Sequence, residues 1–227
     1  PLPTAAPAPR DPAVRALVQR AQTEQAPAVQ PLVLQGVRRM LDYQDPAYAD
    51  LYLDRLQRIA RLQPAGDTHL VSAVAKHLAL WMSFEDVIRV ADLKTRATRF
   101  DRVQGEVGAK ADQVLGIQEY MHPRVQEIVE TLPGPFGPWL GRTGWARRLV
   151  ERMTSKGRVI RTSSLSGFLM LHTVAGLRRW RRSTLRYRQE QQRIEHWLSR
   201  IEQFAPTHPE LAAEVAACQR LVKGYSD

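Results

Sequence analysis

Cysteine, the residue of disulfides and of many metal clusters, is almost absent from this sequence. Cys218 is the only cysteine in 227 residues, which excludes an internal disulfide and a cysteine metal cluster. One thiol suits the reducing cytoplasm, the compartment we predict, and we expect Cys218 to be buried and unreactive on the last helix. The longest mostly apolar run, residues 167–177, is far shorter than the roughly 20 residues that span a bilayer.

Motifs that bind nucleotides or build catalytic sites are missing as well. The chain has no glycine-rich dinucleotide or phosphate loop, no Gly-x-Ser-x-Gly elbow and no His-Glu-x-x-His pair. Its six histidines show no i+3 or i+4 pairing that would set two ligands on one helix face. We therefore predict no catalytic, cofactor-binding or metal site. An independent enzyme using Glu85, Asp86 and His122 as acid and base would rest on residue type alone.

Helical periodicity dominates what is present and predicts a mainly α-helical, irregular multi-helix bundle. Two pairs, Asp11-Pro12 and Asp45-Pro46, each combine an N-cap with proline at the first helical position. The predicted helices cover residues 12–23, 28–43, 46–62, 68–103 with a bend near Ser83, 122–132, 165–204 with a break near Ser183, and 207–222.

Other stretches depart from helical spacing. Residues 113–121 are ambiguous and residues 157–162 are short and β-branched, which leaves open one small two-stranded β-ribbon. The Pro/Gly-rich loop 133–144 contains Phe136 and Trp139, which we expect to tuck into the core. We predict a linker at residues 1–9 and a single helical accessory domain at 10–227. Because the start lacks an initiator Met, we expect this domain to belong to a longer subunit.

Positive charge is concentrated in one quarter of the chain. Residues 140–190 carry 13 Lys or Arg against two acids, whereas the other 176 residues carry 20 against 21. A charge confined in this way indicates a face built to meet an acidic partner.

An arginine ridge is predicted within this basic segment. Three arginines recur at i+4 and two more lie a heptad apart, and their planar forks suit carboxylates or phosphates. A solvated helix face remains the alternative. Nucleic acid ranks below an acidic protein surface, since Trp180 and Tyr187 fall on the apolar seam and no recognised binding motif is present. Membrane ranks below it too, since the seam continues into Ile194 and Ile201 as in a protein core. The candidate partner-binding residues are Arg178, Arg179, Arg181, Arg182, Arg186 and Arg188.

A second polar cluster is predicted on the helix around residue 90. The steps from Glu85 to Arg89 and from Arg89 to Asp92 allow intrahelical ion pairs. Two outcomes stay open: a solvated, ion-paired face, which is the more common one, or a polar network buried at a contact with another domain. The candidate network residues are Glu85, Asp86, Arg89, Asp92 and Lys94.

Several blocks of sequence, in order along the chain, match one known family. They lie at residues 42–45, 47–49 and 52, at 80–86 and 88–94, at 121–124, at 164–168 and 176–182, and at 218–225. Together they resemble the C-terminal helical region, a domain of unknown function, of indolepyruvate ferredoxin oxidoreductase beta subunits. The resemblance extends from about Leu41 to the end of the chain. Its specificity lies in the order and extent of the blocks, because no single block is a chemical motif.

The resemblance implies that the chain follows the catalytic gamma-type domain of a 2-oxoacid ferredoxin oxidoreductase. Such enzymes oxidatively decarboxylate arylpyruvates on thiamine diphosphate, pass electrons through iron–sulfur clusters to ferredoxin, and form the acyl-CoA. No residue here matches those cofactor sites, so thiamine diphosphate, the clusters and CoA would belong to the parent complex. The implied partners are the catalytic gamma-type domain, the sister subunit and acidic ferredoxin.

The sequence therefore favours an accessory, non-catalytic helical domain of such an oxidoreductase, with its arginines facing an acidic surface. The alternative is a free-standing basic helical protein that binds nucleic acid.

Overall fold

The computed structural model confirms a mainly α-helical fold with one small antiparallel ribbon. It describes residues 9–63, 66–110, 113, 115–121, 125–132, 134, 139–140, 142–145, 148, 152 and 158–221. In chain order the elements are α1 (Pro12–Glu24), α2 (Gln30–Tyr43), α3 (Pro46–Ala60), α4 (His69–Met82), α5 (Val87–Thr95), α6 (Ala97–Val107), β1 (Gln118–Met121), α7 (Val125–Thr131), β2 (Arg158–Arg161), α8 (Leu165–Gly176), a 3-10 helix (Leu177–Ser183), α9 (Leu185–Phe204), α10 (Pro209–Ala217) and a second 3-10 helix (Cys218–Leu221).

The chain divides into two compact units. The terminal unit comprises residues 1–84 and 191–227, and the central unit comprises residues 85–190. One boundary falls between α4 and α5 and the other within α9. The expectation of a single domain over residues 10–227 stays a prediction, because compact units need not fold separately.

The first helices start where the Asp-Pro pairs place them. Asp11 accepts a hydrogen bond from the backbone N–H of Ala13 at 2.8 Å, and Asp45 accepts one from the N–H of Tyr48 at 2.8 Å. Each carboxylate satisfies a donor that has no partner within its own helix, while the following proline needs none. The predicted starts of α1 and α3 are thereby confirmed.

Apolar packing organises the terminal unit. Helices α2, α3 and α4 pack on one another, α1 covers α2 and α3, and α10 packs on α4. Tyr52 from α3 reaches the middle of this core, where its hydroxyl donates to the carbonyl of Ala75 at 3.0 Å. Gly36 on α2 makes room for the ring, since a Cβ there would lie 2.3 Å from the Tyr52 Oη. Burial raises the pKa of the Tyr52 phenol well above its ordinary value.

The long helix predicted over residues 68–103 is wrong in one respect: three helices, α4, α5 and α6, occupy that stretch. The chain leaves helical geometry at Ser83, whose Oγ donates to the carbonyl of Ala79 at 2.8 Å. Asp86 then caps α5 by accepting from the N–H of Arg89 at 2.6 Å. Because the cap residues Ser and Asp compete with the helix for backbone groups, a single bend becomes a full interruption.

The central unit is built on α5. Helix α8 packs along it, and α6, α7 and the 3-10 helix 177–183 also contact it. The ribbon left open by the sequence is present, with β1 and β2 antiparallel and Tyr120 opposite Val159. The break predicted near Ser183 is confirmed too, since the first 3-10 helix ends there and α9 begins at Leu185. No helix in the described part of the chain is long and apolar enough to cross a membrane.

Candidate interaction surface

A buried ion pair lies at the centre of the central unit. Arg181 is 1% exposed, and its Nε donates to Asp86 Oδ2 at 2.8 Å while its Nη2 donates to Oδ1 at 3.3 Å. The same carboxylate caps α5, so one side chain joins the start of that helix to the 3-10 helix 95 residues later. Two-pronged bonding of this kind fixes both position and orientation.

A second buried carboxylate comes from the ribbon. Glu119 lies on the face of β1 opposite to Tyr120, and it accepts from Lys94 at 2.6 Å and from Arg99. Burial lowers the pKa of Lys94, and the charges of Arg99 and Arg102 lower it further, against a raising effect of Glu85. Lys94 of α5 and Arg99 of α6 both pair with Glu119 of β1. Ion pairs therefore connect these three elements, a task that apolar packing more commonly performs.

A third cluster surrounds Arg186 at the start of α9. Its Nη1 donates to Glu130 of α7 at 3.2 Å, and its Nη2 lies 3.0 Å from Glu190. Both acids are buried. Arg186 is therefore ion-paired within the central unit, at a position where the sequence predicted a partner-binding residue.

The predicted ridge itself is not formed. Residues 177–183 are a 3-10 helix, in which side chains three apart align, and Thr184 is extended. The four-residue steps therefore do not line up, and Arg181 is buried where a partner-binding residue was predicted. Arg178 is half-buried, whereas Arg179, Arg182 and Arg188 are exposed. Arg179 stacks over Trp180, 4.5 Å from the ring centroid.

The predicted polar network is partly assembled. Arg89 donates to Asp92 at 2.9 Å, the i+3 pair that the spacing allowed, and Asp92 also pairs with Arg96. Glu85 is exposed, while Asp86 is buried with Arg181. The buried part of the network is thus not the intrahelical ladder. Its partners come from the 3-10 helix and the ribbon, which sequence spacing on α5 could not reveal.

Apolar side chains occupy the outside of the same unit. On α8, Leu165 is 75% and Leu169 is 50% exposed, and Met170 is exposed as well. On the ribbon, Tyr120 and Val159 share the exposed face. Trp180, expected on the seam, is 48% exposed. Trp180 is therefore displayed beside Arg179, which removes one of the sequence arguments that ranked nucleic acid low.

Two further expectations need correction. Trp139 is exposed and meets the exposed Trp145 edge to face, with ring centroids 6.2 Å apart, instead of tucking into the core. Cys218 is exposed and not buried. Phe136 and His122 lie outside the described residues.

Metal-ligating side chains form no group in the described ranges: no three His, Cys, Asp or Glu residues there are placed to hold a metal ion together.

Sequence reasoning missed an ion-pair chain in the terminal unit. Arg55 of α3 is buried and donates to Glu195 and to Gln191 of α9 at 2.8 Å each, and Gln191 donates in turn to Tyr48 Oη at 3.1 Å. Arg58 adds a bond of 2.9 Å to Glu195. The signal available in the sequence was Arg55, which lies on the apolar face of α3, because a charge on a buried helix face needs an ionic or hydrogen-bonding partner.

These pairs also set the titration of Glu195. Burial by itself raises the pKa of this carboxyl, but the hydrogen bond from Arg58 and the charge of Arg55 outweigh it and hold the pKa below its ordinary value of 4.5.

Residues 29–227 match the model of a family of unknown function (DUF6537), and the chain belongs to that family. No curated protein and no solved structure matches it.

Proposed function

We propose that this member of the DUF6537 family is the accessory, non-catalytic helical domain of an indolepyruvate (2-oxoacid) ferredoxin oxidoreductase subunit. In this proposal the chain contributes contact surface, in the cytoplasm, to a larger enzyme. Thiamine diphosphate, the iron–sulfur clusters and CoA are handled by the catalytic parts of the complex. The ordered blocks of resemblance support the assignment to this oxidoreductase, and the surface of the central unit supports a role in protein contact.

The supporting observation is the placement of side chains in the central unit. Four carboxylates are buried there against cations: Asp86, Glu119, Glu130 and Glu190. Large apolar side chains meanwhile point outward on α8, on the ribbon and beside the 3-10 helix. Soluble proteins seldom expose apolar side chains in groups unless a partner covers them. A unit with a charged interior and an apolar exterior fits a role in protein contact.

Net charge supports the same role. The central unit has 20 basic and 11 acidic residues, a net charge of +9, and the terminal unit has 13 and 12, a net charge of +1. The four buried acids of the central unit are paired with four cations, Arg181, Lys94, Arg99 and Arg186, so the residues outside these pairs keep the same net charge of +9. Such a surface attracts an acidic partner.

Assembly and activity test the proposal together. The chain, carrying an affinity tag in its native organism, should be purified and its fractions assayed for indolepyruvate-dependent reduction of ferredoxin and formation of the acyl-CoA. We expect the activity to co-elute with the chain and to follow it through size-exclusion chromatography. Recovery of the chain without 2-oxoacid oxidation in any fraction would remove the proposal.

Sequencing the coding region upstream of Pro1 is the matching genetic check. We expect a gamma-type catalytic domain in the same reading frame, and an in-frame stop codon directly upstream would contradict that form of the proposal.

Nucleic-acid binding is the second candidate, and the stacked pair of Arg179 and the exposed Trp180 favours it. Bases stack on exposed aromatic rings, and arginines neutralise phosphates. A titration with duplex and single-stranded DNA at 50 and 200 mM salt decides this candidate, because phosphate neutralisation requires a steep loss of affinity with salt. Absence of binding at low salt would eliminate it.

A further inference from the structure

The outer face of α8 carries no Asp, Glu, Lys or Arg, although it lies in a strongly charged unit. The helix has twelve residues and contains no Asp, Glu, Lys or Arg. Its exposed side, which we term the α8 face, consists of Leu165, Ser166, Leu169, Met170, His172 and Thr173. In a chain with 25% charged residues, a solvated helix face of this length would be expected to carry several charges.

The orientation of α8 is fixed by its inner side. Leu171 is buried, and Phe168 lies against Phe100 of α6 with ring centroids 6.3 Å apart. Gly167 approaches the end of β2 so closely that a Cβ would lie 2.2 Å from the carbonyl oxygen of Arg161. The helix cannot rotate Leu165 and Leu169 inward without breaking these contacts. Exposure of the α8 face is therefore a property of the packed structure.

Positive charge flanks the α8 face at both ends. The exposed Arg161 precedes α8 by four residues, and the exposed Arg179 follows it by three. Three acids of the central unit, Asp86, Glu119 and Glu190, are buried in other pairs and cannot neutralise them. The complementary surface would have an apolar centre and carboxylates at its rim.

The uncharged centre and the basic ends of the α8 face favour some kinds of binding partner over others. A second copy of the chain in a two-fold arrangement would set Arg161 and Arg179 against arginines. Phosphates of a nucleic acid would find no donor cation on the face itself. Transient electron-transfer contacts are small and polar, whereas permanent subunit contacts have apolar, charge-depleted centres. The α8 face matches the last class.

We infer that the α8 face forms a permanent interface with the catalytic part of the parent oxidoreductase, and that the electron carrier does not dock there. This inference rests on the proposed function. It identifies the partner as a subunit or domain surface with an apolar centre and an acidic rim. It also distinguishes the catalytic part from ferredoxin, two partners between which the arginine-rich sequence alone did not decide.

Two substitutions test the α8 face in the assembled enzyme. Leu169→Asp places a carboxylate at the apolar centre, and we expect roughly 30-fold weaker association with the catalytic part, as for a central contact residue. Leu165→Asp is the second variant, because an acid in the first turn of a helix suits its dipole and preserves folding. Leu211→Asp is the matched control, since Leu211 is similarly exposed on α10 of the terminal unit.

The readouts are circular dichroism of each variant, co-elution with the catalytic part in size-exclusion chromatography, and the KM for ferredoxin. We expect both α8 variants to fold and to lose co-elution, while the control assembles normally. Normal assembly of both α8 variants, or a raised KM for ferredoxin with assembly intact, would overturn the inference. Binding of the wild-type chain to vesicles of anionic phospholipid, abolished by Leu169→Asp, would overturn it in favour of a membrane surface.

Failure of the proposed function gives a different result from failure of this inference. If the wild-type chain itself does not co-elute with 2-oxoacid oxidation, the proposed function is wrong. If the wild type co-elutes and the α8 variants behave like the control, the function stands and the assignment of the α8 face falls.

Discussion

The two units of this chain distribute polar and apolar side chains in opposite ways. Of the 34 apolar residues that are buried in the described part of the chain, 30 belong to the terminal unit and four to the central unit. The central unit instead buries seven polar or charged residues, against five in the terminal unit. Ten of the 13 exposed large apolar residues described are also in the central unit.

This difference indicates that the two units are stabilised by different kinds of interaction. A dense apolar core stabilises the terminal unit, and its ion pairs are mostly half-exposed pairs at helix surfaces. The central unit depends on buried ion pairs, which fix geometry at a desolvation cost that offsets most of their attraction. In the proposed function its exposed apolar side chains contact a partner, and such binding would stabilise the unit.

Substitution of matched tryptophans gives the largest contrast. Trp81 in the terminal unit is 9% exposed and its ring centroid lies 5.6 Å from that of Trp197. We expect Trp81→Ala to lower the free energy of unfolding by about 4 kcal/mol through lost burial and a cavity. Trp180→Ala should cost less than about 1 kcal/mol, since that ring is exposed. Urea denaturation followed by circular dichroism measures both, and similar losses would contradict the comparison.

Removal of one partner from a buried pair tests the interior of the central unit. Arg181→Met leaves the Asp86 carboxylate buried without its cation, and we expect a loss of about 3 kcal/mol. Adding Asp86→Asn should recover part of that loss, because the charge disappears while the cap to α5 is kept.

Arg58→Met is the control for this pair, since the Arg58 pairs in the terminal unit are half-exposed and worth about 1 kcal/mol or less. The same urea denaturation measures all three proteins. Equal effects of the two single substitutions would mean that the Arg181 pair is not specially buried.

Added methyl groups probe packing in each unit. Gly36→Ala sets a Cβ 2.3 Å from the Tyr52 Oη and disturbs the hydrogen bond to Ala75, so we expect a loss of about 2 kcal/mol. Gly105→Ala on α6 meets no atom within 4 Å and should raise stability by about 0.5 kcal/mol through helix propensity. Thermal unfolding of both variants checks these signs, and a stabilising Gly36→Ala would refute the tight core.

The smallest effect is expected from the pH dependence of a half-exposed pair. The folded-state pKa of Glu195 is lowered, so its ionised form stabilises the fold above pH 4.5, and this contribution is lost as the pH falls through the folded pKa. We expect Glu195→Gln to be less stable than the wild type near pH 7 and equal to it at about pH 2. Glu214→Gln, an exposed acid on α10, serves as control, and the same pH profile for both variants would exclude a role of the pair.

Local signals made the helical part of the fold predictable. The Asp-Pro pairs start α1 and α3 because a carboxylate cap and a proline act on the adjacent turn alone. The short β-branched stretch formed β2 for a similarly local reason. The interruption at Ser83 was underestimated, since the competition between a side chain and the helix backbone is decided by how the next helix packs.

The positions of the arginine side chains could not be predicted from local sequence signals. Spacing by four assumes α-helical geometry, and the 3-10 helix at residues 177–183 changed which side chains align. Arg181 became an interior residue because its partner, Asp86, lies 95 positions away in sequence. No periodicity within one helix contains that information.

The sequence by itself determined the helical class, the absence of cysteine bracing and the concentration of basic residues before position 190, because these are local or additive properties of the chain. Only the tertiary structure decided which arginines pair with buried carboxylates, and that α8 turns Leu165 and Leu169 outward. Both depend on contacts between segments that are distant in sequence. A charge that such a contact buries loses its hydration and therefore requires an ionic partner.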